Sequence, residues 1–344
     1  MPDESEIISM IRSRSRELPG PGVEVGIGDD AAVLRPDSSG DLLFCSDVSV
    51  EGVHFRTEWA PPDLIGRKAL AVTLSDVAAM GGQPRFALAS IAFGQGSPMK
   101  FIEELFSGMF DLASALGVSL VGGDTSASPG PLFIDTSTIG VCGRSGAVTR
   151  SGARPGDLVY VTGELGGSAL GLSLLKEGFR LNAEVVDPEG IARQAAIRRH
   201  LVPEPRIRAG QLIGQAGIAT AMIDISDGLS TDLGHIAEES RCGVVVHGRL
   251  VPVARPLFSL SRMIELGSSI QIEKDPLQVA LESGEEYELA FCSRPEAASS
   301  IGDLSDELKL PITLIGEVIE GQGLMLELDG RRVEIDAKGF EHEI

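Results

Sequence analysis

The chain predicts a two-domain protein of the α/β (α+β) class, on three observations. Short apolar runs alternate with helix-length amphipathic ones along the whole sequence. Its 344 residues exceed the ordinary size of one domain. Between Gly143 and Asp157 the composition turns to Gly, Arg and Ser with little apolar content, which puts a boundary there and gives domains 1–145 and 146–344.

The elements follow in order. A helix is predicted over Glu4 to Glu17, stopped by Pro19-Gly20-Pro21-Gly22. Leu42 to Ser46 reads as a short buried strand, and Pro62 suits the first turn of a helix that runs to Gly81-Gly82. Strand Phe86 to Phe93, helix Lys100 to Leu116 and strands Ser119 to Val121 and Leu132 to Val141 complete the first domain. The second restarts with strand Leu158 to Thr162 and helix Ser168 to Lys176. A helical stretch at Pro205 to Ala216, strand Ala219 to Ile223, helix Leu229 to Ser240 and strand Val244 to His247 follow. Short helices and strands fill the remainder up to a charged tail.

Composition narrows the function classes. Hydrophobic residues make up 43% and charged residues 23%, as in a globular protein, while an aromatic share of 4% leaves the core to Leu, Ile, Val and Ala. Lys and Arg number 29 against 50 Asp and Glu, a net charge of -21. Such a chain is repelled by nucleic-acid backbones and anionic membranes, so neither is an expected partner. No apolar run reaches the ~18 residues of a membrane span, and the acidic amino end lacks a signal-peptide stretch. Cys45, Cys142, Cys242 and Cys292 show no CxxC spacing. That argues against zinc and against a disulfide framework, and it suits a reducing cytoplasm.

The chemistry lies in acidic segments placed beside apolar ones. Gly26-Ile27-Gly28-Asp29-Asp30 sets two carboxylates on a tight bend, as Mg²⁺ requires; the plain alternative is a polar surface turn. Ser46-Asp47 stands at the end of an apolar strand and leads to His54, which either donates to a phosphate or closes a loop. Asp76 lies within a helix that is apolar almost all round, so it must meet a metal or a cation such as Lys68. Gly122-Gly123-Asp124-Thr125 reads as a turn whose glycines admit a phosphate, or as a plain strand-to-strand turn. Asp224-Ile225-Ser226-Asp227-Gly228-Leu229 sits between strand and helix, with helix N-cap as the ordinary role of Asp227. Ser283-Gly284-Glu285-Glu286-Tyr287-Glu288 makes a further acidic turn before a strand. The turn Gly163-Glu164-Leu165-Gly166-Gly167-Ser168 lacks the Lys of a P-loop and reads as packing. Together the acids argue for metal-assisted phosphate chemistry, in which Mg²⁺ supplies the positive charge that a carboxylate-rich site lacks.

These segments, with Val50-Glu51-Gly52-Val53-His54-Phe55, Lys68-Ala69-Leu70-Ala71-Val72, Leu74-Ser75-Asp76 and Thr149-Arg150-Ser151-Gly152-Ala153, occur in an order that resembles the thiamine-monophosphate kinases. The wider superfamily includes aminoimidazole ribonucleotide synthetase and selenophosphate synthetase. The resemblance covers nearly the whole chain, to Lys338-Gly339-Phe340-Glu341-His342. It implies the superfamily's two-domain fold and a homodimer whose amino-terminal sheets join into a barrel. It also implies direct transfer of the ATP γ-phosphoryl group to thiamine monophosphate. On that resemblance Asp30, Ser46, Asp47, Asp76, Asp124, Asp224 and Asp227 are the Mg²⁺ ligands. Gly123, Asp124, Arg150 and Ser226 contact ATP. His54, Glu285 and Phe340 contact thiamine monophosphate, and Asp47, Asp124, Arg150 and Asp227 carry catalysis. The chain departs from the family at Glu286 (commonly Asp), at Thr73 (commonly Asn), in Asp47-Val48-Ser49-Val50-Glu51-Gly52 and at Phe340 (commonly Trp or Tyr). Two alternatives remain: another ATP-using enzyme of the superfamily, which the absence of an early reactive Cys and the terminal Ile344 disfavour, or a non-catalytic nucleotide and metal binder.

Overall fold

Alternation of polar and apolar residues along four segments builds the sheet of the amino-terminal half. The computed structural model describes residues 10–11, 13–14, 23–25, 33–34, 40–182, 184–258 and 275–335. It divides into two units, Met1–Ala78 with Gly82–Ala147, and Ala79–Gly81 with Val148–Ile344.

In the first unit, Met10, Ile11, Ser13 and Arg14 are helical, and β1 (Val23–Val25) pairs antiparallel with β2 (Val33–Leu34). Then come β3 (Leu42–Val50), α1 (Pro62–Ala79), β4 (Gln83–Gly94), α2 (Met99–Leu116), β5 (Ser119–Ser128) and β6 (Phe133–Val141). The sheet order is β3-β6-β4-β5, parallel between β4 and β5 and antiparallel elsewhere. α1 covers one face: Thr73 Oγ1 donates to Thr136 O at 3.2 Å, and Thr136 Oγ1 donates to Ala69 O at 3.0 Å. The residues of β3 that point away from α1 stand open, Leu42 at 59%, Phe44 at 73% and Val48 at 44% exposure.

Two strands run further than the sequence predicts. β3 continues past Ser46 to Val50, because Asp47 to Val50 pair residue for residue with Thr136 to Phe133. Gly122-Gly123-Asp124-Thr125 is no turn but the middle of β5, in register with Leu88 to Ile91 of β4. A side chain at Gly123 would meet the Ala89 carbonyl oxygen at 1.8 Å, so the glycine serves strand-to-strand approach.

The second unit contains β7 (Leu158–Thr162), α3 (Gly167–Lys176), α4 (Pro188–Leu201), α5 (Ile207–Gln215), β8 (Ala219–Asp224), α6 (Leu229–Ser240) and β9 (Gly243–His247). After these follow α7 (Pro276–Glu282), β10 (Leu289–Ser293), α8 (Ala298–Leu308), β11 (Ile312–Ile319), β12 (Gly323–Leu328) and β13 (Arg331–Glu334). Seven strands form one mixed sheet, ordered β13-β12-β9-β11-β7-β10-β8. Only the β9 and β12 pair is parallel. Val159, Val161, Ile223, Val244 and Ala290 from the sheet pack with Leu229, Leu233 and Ile236 of α6 in a fully buried core. α4 is a helix the sequence reading did not include. Asp187 caps it by accepting the Gly190 N–H at 2.8 Å, Pro188 opens it, and Arg198, Arg199 and His200 fill its last turn.

Candidate active site

The acids of the first unit are sorted by strand periodicity, since successive side chains of a strand point to opposite faces. Asp47 faces α1, opposite Thr136, and its carboxyl hydrogen-bonds the side chains of Asp76 and Thr73. Burial, with the charge of Asp135, raises the Asp47 carboxyl above the usual range against the pull of those bonds. Two carboxylates bond each other only through a shared proton or through a cation in its place. Asp47 Oδ2 is buried without a hydrogen-bond partner, which is the coordination a hard cation would complete. Ser46 points to the other face, where its hydroxyl donates to Asp135 Oδ1 at 2.7 Å and lies 2.9 Å from Ser137 Oγ. Asp124 is exposed on β5, in register with Ser90, and accepts the Thr125 N–H at 2.9 Å. β6 and β4 separate it from β3, so the sheet brings Asp76 to Asp47 and leaves Asp124 on the opposite outer strand.

After β3 the chain turns tightly around His54, whose Nδ1 accepts the Val50 N–H at 3.0 Å. A neutral ring so held carries its proton on Nε2 and is a donor there. Lys68 Nζ lies 3.5 Å from the His54 carbonyl. Glu51 fixes the same loop by accepting Thr57 Oγ1 at 2.6 Å and Leu132 N at 3.1 Å. Against the penalty of burial, these bonds hold the Glu51 carboxyl below its ordinary range.

In the second unit two acidic segments are zipped together. Ile225 N donates to Glu288 O at 2.7 Å, Tyr287 N to Ile225 O at 2.8 Å and Glu285 N to Ser226 O at 2.7 Å. The approach requires glycine at 284, where a side chain would stand 2.5 Å from the Ser226 carbonyl. Glu285 and Tyr287 take left-handed backbone, φ 59° and 53°, a strain that a packed site can hold in place. Asp224 ends β8 buried, and Ser226 and Asp227 follow half-buried. Asp227 is not the helix cap, since Gly228 occupies that position and no side chain caps it. The anchoring acid is Asp232, whose Oδ2 accepts the N–H groups of Ser226, Asp227 and Gly228 at 3.1, 3.2 and 3.1 Å. Burial, then the charges of Asp224 and Asp227, push its carboxyl up to about 8. Ligand atoms of Asp227, Asp232 and His235 lie within 4.8 Å of one another, two carboxylates and an imidazole that could hold a divalent cation. Asp232 and His235 were missed from sequence; their spacing along one helix face after Asp227 was the available signal.

Glu285 is partly exposed, with its Oε2 3.4 Å from the buried His200 Nδ1. Beneath it Glu286 accepts Ser168 N at 3.0 Å and Ser283 Oγ at 3.2 Å through Oε1, while Oε2 has no partner. Burial raises its carboxyl to about 7. Glu288 is fully buried, yet Arg206 grips both its oxygens, at 2.7 and 2.5 Å, and Arg199 adds a third contact at 3.1 Å. Those bonds hold its carboxyl low against the cost of burial. The Arg150 segment is stitched to the edge of β8: Met222 N donates to Thr149 O at 3.0 Å, and Ser240 Oγ donates to Arg150 O at 3.1 Å. The Arg150 side chain stands exposed. Asp30 and Phe340 lie outside the described residues.

Comparison with known proteins agrees over the full chain. Two family models match, "AIR synthase related protein, N-terminal domain" at residues 28–142 and "AIR synthase related protein, C-terminal domain" at residues 154–329. Thiamine-monophosphate kinase of Escherichia coli (strain K12) is 38% identical over 333 residues, covering 96% of this chain and 94% of that protein. The crystal structure of thiamine-monophosphate kinase from Stenotrophomonas maltophilia K279a superposes with a TM-score of 0.81 at 34% identity, covering 94% of this chain and 96% of that one. A structure described as AaThiL complexed with AMPPCP and TMP superposes at 0.76 with 31% identity, covering 100% and 99% of the two chains. On this full-length likeness the chain belongs to the thiamine-monophosphate kinase family, within the AIR synthase related proteins.

Proposed function

We propose that this protein phosphorylates thiamine monophosphate from ATP, giving thiamine diphosphate and ADP. The observation that carries the reading is the full-length likeness to thiamine-monophosphate kinases, one of whose relatives is described in complex with AMPPCP and TMP. An oxygen of the acceptor phosphate attacks the γ-phosphorus in line. One P–O bond forms, the bond from the γ-phosphorus to the bridging oxygen breaks, and that oxygen leaves with ADP. The acceptor monoester is mostly dianionic at neutral pH, so no strong base is needed. The protein's task is to hold two anions together in line.

Asp47, Asp76, Asp124, Asp224 and Asp227 are the residues that would hold Mg²⁺, with Asp30 and Ser46 completing the assigned set. The orphaned Asp47 Oδ2 and the crowded carboxylates around Asp227 support that assignment. When bound, the ion neutralises phosphate charge and polarises the transferred group. Ser226, Gly123 and Arg150 serve the nucleotide. The Nε2–H of His54 and the carboxylate of Glu285 serve the acceptor, with Phe340. Of the assigned residues, 1–145 contains Asp30, Ser46, Asp47, His54, Asp76, Gly123 and Asp124 with the dimer contacts, and 146–344 contains Arg150, Asp224, Ser226, Asp227, Glu285 and Phe340. The protein acts as a homodimer, a reading supported by the open apolar stripe of β3. Four cysteines without CxxC spacing suit a reducing cytoplasm. Among the described residues no helix is long and apolar enough to cross a membrane.

The test is a coupled ADP assay with Mg²⁺, comparing thiamine monophosphate, thiamine and aminoimidazole-pathway substrates. ADP release with thiamine monophosphate alone is expected. Release with thiamine but not with its monophosphate would overturn the acceptor.

A further inference from the structure

We propose that Asp232 is a positioning residue for the nucleotide end of the reaction, holding the turn that presents Ser226 and Asp227. The inference rests on the reading that those two residues serve ATP and its metal. Three successive N–H groups, of Ser226, Asp227 and Gly228, converge on one carboxylate oxygen of Asp232 at 3.1, 3.2 and 3.1 Å. Convergent N–H groups of this kind form a nest that calls for an acceptor oxygen. Asp232 Oδ2 supplies it from the first turn of α6, on a side chain only 1% exposed.

The arrangement has a chemical consequence. In an ordinary N-cap the acid before the helix spends its carboxylate on its own helix. Here Gly228 takes the cap position without a side-chain bond, and Asp232 reaches back from the first turn of the helix to the N–H groups of the three residues before it. With Gly228 at the cap, the Asp227 carboxylate makes no cap bond and can be turned to a ligand. The three hydrogen bonds also set the backbone at 226 and 227, and so the directions of both side chains. The turn is further clasped by Glu285 N on Ser226 O at 2.7 Å, but that bond constrains only its near end.

Asp232→Ala removes the acceptor oxygen, and Asp232→Asn keeps one on a side chain that cannot ionise. The expectation for Asp232→Ala is a rise of about tenfold or more in KM for ATP, with KM for the acceptor changed less than about twofold. Asp232→Asn should recover only part of that loss and keep the same split between the two KM values. Ile236→Ala, a cavity on the buried face of the same helix, controls for lost stability and should leave both KM values near wild type. Independently of turnover, amide hydrogen exchange should accelerate at Ser226, Asp227 and Gly228 in Asp232→Ala while β8 keeps its protection. If the alanine variant does not fold, Asp232→Asn decides by the same split between the two KM values and by the same amides. Unchanged exchange at the three amides, equal shifts of both KM values, or an equal ATP effect in Ile236→Ala would each overturn the proposal. A wild-type protein that fails to bind AMPPCP would refute the nucleotide reading instead, with the exchange result still judging the role of Asp232 in the turn.

Discussion

Glu286 shows how a buried side chain writes itself into pH dependence. Its carboxyl shifts from the ordinary 4.5 to about 7, chiefly through burial, and Oε2 finds no donor. The folded state therefore prefers the protonated form. Below about pH 4.5 folded and unfolded chains are both protonated and the residue costs nothing. As pH rises the unfolded chain loses its proton first, so stability falls until about pH 7 and then levels off, a loss of ~3 kcal/mol. Glu286→Gln cannot ionise. Urea unfolding should find it equal to wild type near pH 4 and more stable at pH 8; a difference that stays constant across that range would contradict the assignment. Asp47 makes the complementary case, a carboxyl aimed at a ligand. Asp47→Asn keeps its size and some hydrogen bonding, so it should fold normally and lose turnover. Asp124→Asn should behave alike. Near-normal rates in a folded variant of either would remove that residue from the metal set.

At the scale of elements, the start of β10 depends on one buried ion pair. Arg206 holds Glu288 through two parallel bonds, and Glu288 O in turn accepts Ile225 N, tying β10 to the Ser226 turn. Arg206→Ala leaves a fully buried carboxylate with only Arg199 and Thr162, which should cost ~3–5 kcal/mol in urea unfolding. Arg206→Lys should restore only part, because a single ammonium cannot reproduce the two-pronged grip. A loss under about 1 kcal/mol for the alanine variant would show the pair to be dispensable. Apolar periodicity made most elements legible, Leu158–Thr162 and Leu229–Ser240 to the residue. β5 was predicted only as far as Val121, because Gly122-Gly123 reads locally as a turn, and only the neighbouring β4 backbone explains those glycines as close approach. α4 escaped because its apolar pattern is weak, although Asp187, Pro188 and Glu189 announce its start.

At the scale of the molecule, the acids of the candidate site could be named from sequence one by one, but their grouping could not. Which carboxylate meets which depends on strand register and helix phase. Asp76 reaches Asp47 because α1 lies over β3 and β6, while Ser46, one residue earlier, is turned to the opposite face. That same alternation leaves Leu42, Phe44 and Val48 open on β3, with Phe133 of β6 at 38% exposure beside them. Two copies of a chain of net charge -21 repel each other overall, so apolar burial is what would drive the proposed pairing. Two tests follow from that physics. Sedimentation should find the wild-type protein as a dimer, and added salt should strengthen the dimer by screening the repulsion. Phe44→Asp places a carboxylate in the stripe without touching the face packed on α1, so it should yield a folded monomer. A wild-type monomer at micromolar concentration, or a Phe44→Asp dimer of undiminished affinity, would move the partner contact away from β3.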